Sequence, residues 1–280
     1  MLGRMTGAVA RGFLVALLLA TPALMLPEVA TDSSQITILI AMLAAFLTTV
    51  EYNSNFPSIV SFRDAAPFNR LRFAALLVMV VALSAIIREQ THAGLMTGGV
   101  TAIGTILGNA LDFPYSPIRL LVLTLPADAD PMVVQTVRIA AGLCSVVAMI
   151  AIGSFIILVR RLQWPTRYGA FNVWVNLPLF DPTAGGDVVD RLRRQSRSSV
   201  VIGFLIPFLI PAVAKLANDL IDPITLHNPQ TLIWTICAWA FLPTTLIMRG
   251  LAMGKVADLI ANKRRRTYAD AEAANGYQTA

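Results

Sequence analysis

Residues 138–161 read RIAAGLCSVVAMIAIGSFIILVRR. No charged side chain lies between Arg138 and Arg160, and a helix needs about 20 mainly apolar residues to cross the hydrocarbon core of a membrane. The stretch therefore reads as a transmembrane helix over 138–159. It ends on Arg160 and Arg161, and short loops rich in arginine and lysine stay on the cytoplasmic side. One segment thus supplies both a span and a direction.

Working outward, the segments 8–26, 34–50, 71–87 and 231–250 also meet or approach spanning length, and 199–217 makes a sixth, interrupted by Pro207 and Pro211. A soluble protein is excluded. The chain is 56% hydrophobic and 14% charged, with a mean hydropathy of +0.68, too little polar surface to coat a globule of 280 residues. Arg4 and Arg11 ahead of the apolar run Phe13–Leu26 imitate a signal peptide, but Glu28 spoils the nearest cleavage site after Ala30, so the run is read as a first spanning helix. Threaded through six spans, all but Arg88, Arg119, Arg138 and Lys215 of the 22 basic residues fall on one face. This predicts an all-α integral membrane protein, N-in and C-in, forming one domain over 1–267 with a polar, flexible tail over 268–280. The preference for arginine over lysine and the abundance of alanine suggest a bacterial inner membrane. An interfacial aromatic belt is expected from Tyr52, Trp164, Tyr168 and Trp174 inside and from Tyr115 and Trp234 outside.

Between the third and fourth spans lies GLMTGGVTAIGTILGN, residues 94–109. Its small-xxx-small spacings, Gly94/Gly98 and Gly104/Gly108, suit either close helix packing or a pore-lining half-helix. The apolar run 118–125 that follows is too short to cross. A re-entrant or interfacial hairpin over about 92–126, entered and left from the outer side, fits both. Pro207 and Pro211, four residues apart on one helix face, predict a kink whose freed carbonyls either line a site or bond to neighbouring helices.

On the basic face, loops 51–72 and 160–198 interleave arginines with aromatic and proline residues beyond what orientation requires. Arg63, Arg70, Arg72, Arg160, Arg161, Arg193, Arg194 and Arg197 are candidates for a surface facing a partner protein or lipid headgroups. The segment GGDVVDRLRRQSR reads as a short amphipathic surface helix. Catalytic signals are weak: Asn218, Asp219 and Asp222 match the start of an NDxxD magnesium-diphosphate motif, but the next expected aspartate position is Leu226. Cys144 and Cys237 sit in separate apolar runs and read as packed structural thiols, while His92 and His227 lack the spacing of metal or haem ligands. Apart from Lys215, the six spans lack ionisable residues well inside them, which argues against an ion-coupled transporter. The reading expects a non-catalytic accessory, assembly or scaffold subunit of a membrane complex. A channel or carrier for a neutral or lipid-like substrate is the alternative, and a lipid-modifying enzyme a third. Membrane lipids and other membrane subunits are the expected partners, with no nucleic acid, cofactor or metal.

Overall fold

The computed structural model describes residues 2–26, 31–56, 58–161, 164–166, 171–172, 176–178, 180, 185–217 and 228–276. Among these, the regular structure is helical throughout: α1 (Leu2–Met25), α2 (Thr31–Asn53), α3 (Phe68–Thr91), α4 (Leu95–Leu111), α5 (Pro117–Val122), α6 (Pro131–Arg161), α7 (Val188–Ala217) and α8 (Pro229–Gly276). Six of them, α1, α2, α3, α6, α7 and α8, are long and apolar enough to cross a membrane. The chain is a helical bundle of the multi-pass membrane type. Consistent with hydrocarbon as its solvent, α2 and α7 expose large apolar side chains such as Ile38, Leu39, Phe46, Phe204 and Val213.

Side-chain contacts sort the helix ends into two groups. At the basic end, the Arg11 guanidinium lies 4.8 Å from the Tyr52 ring centre, joining the start of α1 to the end of α2. A core of Phe62, Phe68, Phe155, Trp164, Leu192, Met248 and Met253 gathers the start of α3, the end of α6, the start of α7 and the middle of α8. At the far end, a second core unites Leu26, Leu83, Ile87, Leu121, Val137 and Ile233, from the opposite ends of α1, α3, α6 and α8 together with α5. Successive long helices therefore alternate in direction. Both free cysteines, Cys144 and Cys237, are fully buried in this second core.

Glycines set the closest helix approaches. A side-chain carbon on Gly108 would come within 2.8 Å of the Arg138 carbonyl oxygen, and one on Gly104 within 2.7 Å of Ile139 Cγ2. The α6 backbone at Arg138 and the Ile139 side chain occupy the space that side chains at these two positions would need. On α7, Gly203 faces Pro243 and Ile247, and on α8, Gly250 faces Ser196 and Val200, where the Ser196 hydroxyl also donates to the Gly250 carbonyl at 2.7 Å. Gly94 and Gly98 behave differently: Gly94 is exposed and Gly98 half-buried near the α3–α4 turn, where the Gly94 N–H and the Thr97 hydroxyl donate to the Glu89 carboxylate.

Two expectations from the sequence are corrected, the separate surface helix and the belt position of Trp164, and the tail acquires a secondary structure. The segment read as a separate amphipathic surface helix is the first part of α7, continuous with the span, because no proline or glycine intervenes before Gly203. The polar tail is helical as far as Gly276, since YADAEAAN extends an already nucleated helix with good helix formers. Trp164, assigned to the interfacial belt, is only 2% exposed and belongs to the basic-end core. Elsewhere in the belt, Tyr115 is exposed and Trp234 packs partly against the far-end core, while Tyr168 and Trp174 lie outside the described residues.

Both prolines lie inside the continuous helix α7. Lacking an N–H, Pro211 leaves the carbonyl of Pro207, four residues earlier, without its helical donor. Trp239 Nε1 on α8 donates to that carbonyl at 3.1 Å. The neighbouring helix thus satisfies the group that the proline frees.

Replacing Gly108 with Val should lower stability in detergent by about 1–3 kcal/mol, the usual cost of overpacking. Gly99→Ala, with open space around the added atom, should be neutral or slightly stabilising. Thermal unfolding compares the two, and equal losses would contradict the close approach. Trp239→Phe should cost about 1–2 kcal/mol, the price of an orphaned, partly buried carbonyl. In a Pro211→Ala background, which restores the helical donor, that cost should shrink, as a double-mutant cycle would measure.

Candidate functional site: an arginine-lined cleft beside a folded basic cap

At the basic end, loop residues after α2 are fixed by a carboxylate latch. Glu51 Oε1 accepts from the backbone N–H groups of Ser58, Ile59 and Val60 at 2.8, 2.7 and 2.9 Å, and Oε2 from the Ser58 hydroxyl at 3.1 Å. The Arg63 guanidinium then donates to the carbonyls of Glu51 (3.1 Å) and Ser54 (2.7 Å), which the end of α2 leaves without helical partners. Its Nε is also 3.1 Å from Asp64. Arg63 is a structural cap.

This loop joins the segment that follows α6 to make one folded cap. The Phe62 N–H donates to the Asn176 carbonyl at 2.6 Å, the Asp64 N–H to Asn176 Oδ1 at 3.1 Å, and Trp164 Nε1 to the Ala65 carbonyl at 3.1 Å. Phe62 adopts φ +55°, an uncommon conformation for an aromatic residue, while fully buried against Phe68 at 4.8 Å between ring centres. Phe155 completes the aromatic cluster, 5.3 Å from Phe68 and 5.1 Å from Trp164. On the outside of this cap, Arg160, Arg161, Arg194 and Arg197 are exposed. Asp190, Arg193, Arg194 and Arg197 line an open groove of about 370 Å³ on α7. Arg193 approaches Asp258 of α8 at 3.3 Å, and Arg264 approaches Asp187 at 2.6 Å, holding that carboxyl below the usual carboxylate range. Both pairs are solvent-exposed and tie α7 to α8 only lightly.

The eight candidate arginines thus separate into two groups. Arg160, Arg161, Arg193, Arg194 and Arg197 lie along the end of α6 and the start of α7, whereas Arg63, Arg70 and Arg72 line a cleft of about 580 Å³ between α1, α2, α3 and α8. Two further arginines, Arg11 and Arg249, complete that cleft, with Tyr52, Asn69 and Thr245 as polar neighbours. Among the described residues, no aspartate or glutamate lines it. Arg72 is half-buried, its guanidinium 5.5 and 5.9 Å from the ring centres of Phe68 and Phe241, and Asn69 accepts from its Nη1 at 3.2 Å. The Nε atoms of Arg72 and Arg249 are buried without a hydrogen-bond partner among the described residues. Arg249 was legible as an arginine closing an apolar run; its convergence with Arg72 was not.

At the far end, one buried carboxylate neutralises two arginines in place. Asp112, just past α4, is 6% exposed and sits 2.7 Å from Arg138 Nε and 2.8 Å from Arg119 Nε. Arg88 Nη1 donates to the Met25 carbonyl at the end of α1, at 3.4 Å. Lys215 is exposed in the last turn of α7. Asp219, Asp222 and His227, on which the magnesium-diphosphate and outer-histidine readings rest, lie outside the described residues. Among the described residues, no group of three or more His, Cys, Asp or Glu side chains is placed to hold a metal ion. Comparison with protein-family models, with curated proteins and with solved structures finds no match to this chain.

Proposed function

We propose that the protein is a non-catalytic accessory, assembly or scaffold subunit of a bacterial inner-membrane complex, with the basic end cytoplasmic and the folded cap as its docking surface. The observation that carries this reading is the cap's own aromatic core. A loop that serves only to orient a protein needs positive charge and no fixed shape. Here Phe62, Phe68, Phe155 and Trp164 are each almost fully buried to hold the two connecting segments together, while Arg160, Arg161, Arg194 and Arg197 remain exposed beside them. Burying an aromatic side chain stabilises by roughly 1.5–3 kcal/mol, so this is a substantial commitment to one surface shape. Preorganised, arginine-bearing surfaces recognise acidic segments with little ordering cost.

The cytoplasmic assignment follows from the concentration of arginine and lysine at this end. The α4–α5 hairpin then lies toward the outer side without crossing. α4 is 17 residues long, about 25 Å at 1.5 Å per residue, and Asp112 at its end is bound to Arg138 near the start of α6. Ser116 caps the six-residue α5, accepting from the Arg119 N–H at 3.0 Å, and Ile118 and Leu121 anchor it in the far-end core. Gly104 and Gly108 are taken up by contact with α6, so these two glycines no longer argue separately for a pore.

A reporter fused after Gln230 should register an outer location, and a cytoplasmic signal there would overturn the orientation. Purification in mild detergent should retain a second membrane protein in fixed proportion. Combined Arg160→Glu, Arg161→Glu, Arg194→Glu and Arg197→Glu should release it without changing the thermal midpoint by more than a few degrees, because these side chains are exposed. A chain that purifies alone, or a partner indifferent to the four substitutions, would count against the docking role.

A further inference from the structure

The cleft between α1, α2, α3 and α8 is a second arginine site, distinct from the docking surface, and its lining repeats one order on three of the four helices. On α1, Arg11 is followed one turn deeper by Leu14 and Val15; on α3, Arg72 is followed one turn deeper by Leu76. On α8, which runs the other way, Arg249 is preceded by Thr245, Leu246 and Phe241, while α2 contributes the polar pair Thr48 and Tyr52. Residues three or four apart share a helix face, so α1, α3 and α8 present a cationic group at the bundle's end and mostly apolar surface one or two turns further in. That gradient matches an amphiphile.

We propose that this cleft binds one anionic phospholipid, its phosphate held by Arg72 and Arg249 and an acyl chain running past Leu14, Leu76 and Phe241. A half-buried guanidinium with an orphaned Nε calls for an acceptor, and the described residues supply no carboxylate in the cleft. Two acids of the adjoining loop are engaged elsewhere: both Glu51 oxygens hold the loop 58–60, and Asp64 pairs with Arg63. Phosphate oxygens match the planar guanidinium fork in charge and geometry. Arg11 and Arg70, both exposed, stand beside the cleft and add to its positive field. A free phosphate shares the anionic chemistry, but the apolar lining favours a headgroup that carries a chain. At about 580 Å³ the cleft holds a headgroup and the start of one chain. The remainder lies along the exposed apolar faces of α1 and α2.

The test uses the full chain, stripped of co-purifying lipid in nonionic detergent and titrated under native mass spectrometry with dioleoylphosphatidylglycerol or dioleoylphosphatidylcholine. The protein should retain one phosphatidylglycerol with at least about a tenfold preference over phosphatidylcholine, comparable to the loss of one charge-assisted hydrogen bond. Absence of that preference in the unaltered protein overturns the proposal without recourse to any variant. Arg72→Gln and Arg249→Gln should each reduce retention of the anionic lipid about tenfold. Arg160→Gln with Arg161→Gln should leave it unchanged, and an equal reduction there would assign the binding to general surface charge. Leu14→Trp, which crowds the apolar wall and keeps every arginine, should weaken lipid binding as well. Inorganic phosphate that displaces the lipid at comparable concentration would make the site one for a free anion, against the proposal.

Discussion

Helices in hydrocarbon gain nothing from hiding apolar surface from one another, so they associate where their backbones can come close. That constraint shapes this bundle. Gly12 brings α1 within reach of the Ala45 carbonyl on α2, Gly104 and Gly108 seat α4 on α6, and Gly203 and Gly250 join α7 to α8. These are contacts between particular pairs, and the pairs meet the rest of the bundle less intimately. Arg11 on α1, Tyr52 on α2, Phe73 on α3 and Phe241 on α8 all front the space left between the first hairpin and the central helices. The close crossings are therefore also the origin of the cleft.

The two ends of the bundle solve opposite electrostatic problems. At the far end, where arginine is scarce, Asp112 takes up Arg119 and Arg138 together, and Arg88 is spent on a helix-terminal carbonyl. At the basic end cations outnumber local acids. Arg63 is absorbed into the cap of α2, but Arg72 and Arg249 keep donors with nothing to receive them. Buried polar groups are nearly always paired, so a guanidinium whose buried Nε lacks a partner marks either a ligand or a cost that another feature must offset.

Much of the architecture was legible in the sequence because hydropathy and charge are local properties. The positions of six long apolar helices and the gathering of most arginines at one end both follow from reading windows of about 20 residues. Convergence in space does not. Arg63, Arg70 and Arg72 sit near Arg160 and Arg161 on a charge map, yet helix crossings carry the first three toward Arg11 and Arg249. The Glu51 latch was invisible for a similar reason, since a carboxylate reaching forward to the N–H groups of residues 58–60 depends on a turn that composition does not specify. Trp164 was placed by its residue type at a membrane interface, whereas its ring completes a core to which α3, α6, α7 and α8 all contribute. The proline pair shows the limit most plainly. Pro207 and Pro211 announced a freed carbonyl, but only the packing of α8 revealed Trp239 as its donor.

Helix α8 runs for 48 residues, about 72 Å at 1.5 Å per residue, and from Thr244 onward no proline interrupts it. Arg249 is therefore mounted on the same stiff lever as the exposed segment that ends near Gly276. Met248, Met253 and Val256 fix it in the cap core, so Arg249 sits where the helix is held most firmly, and one continuous helix joins the wall of the cleft to the basic residues beyond it.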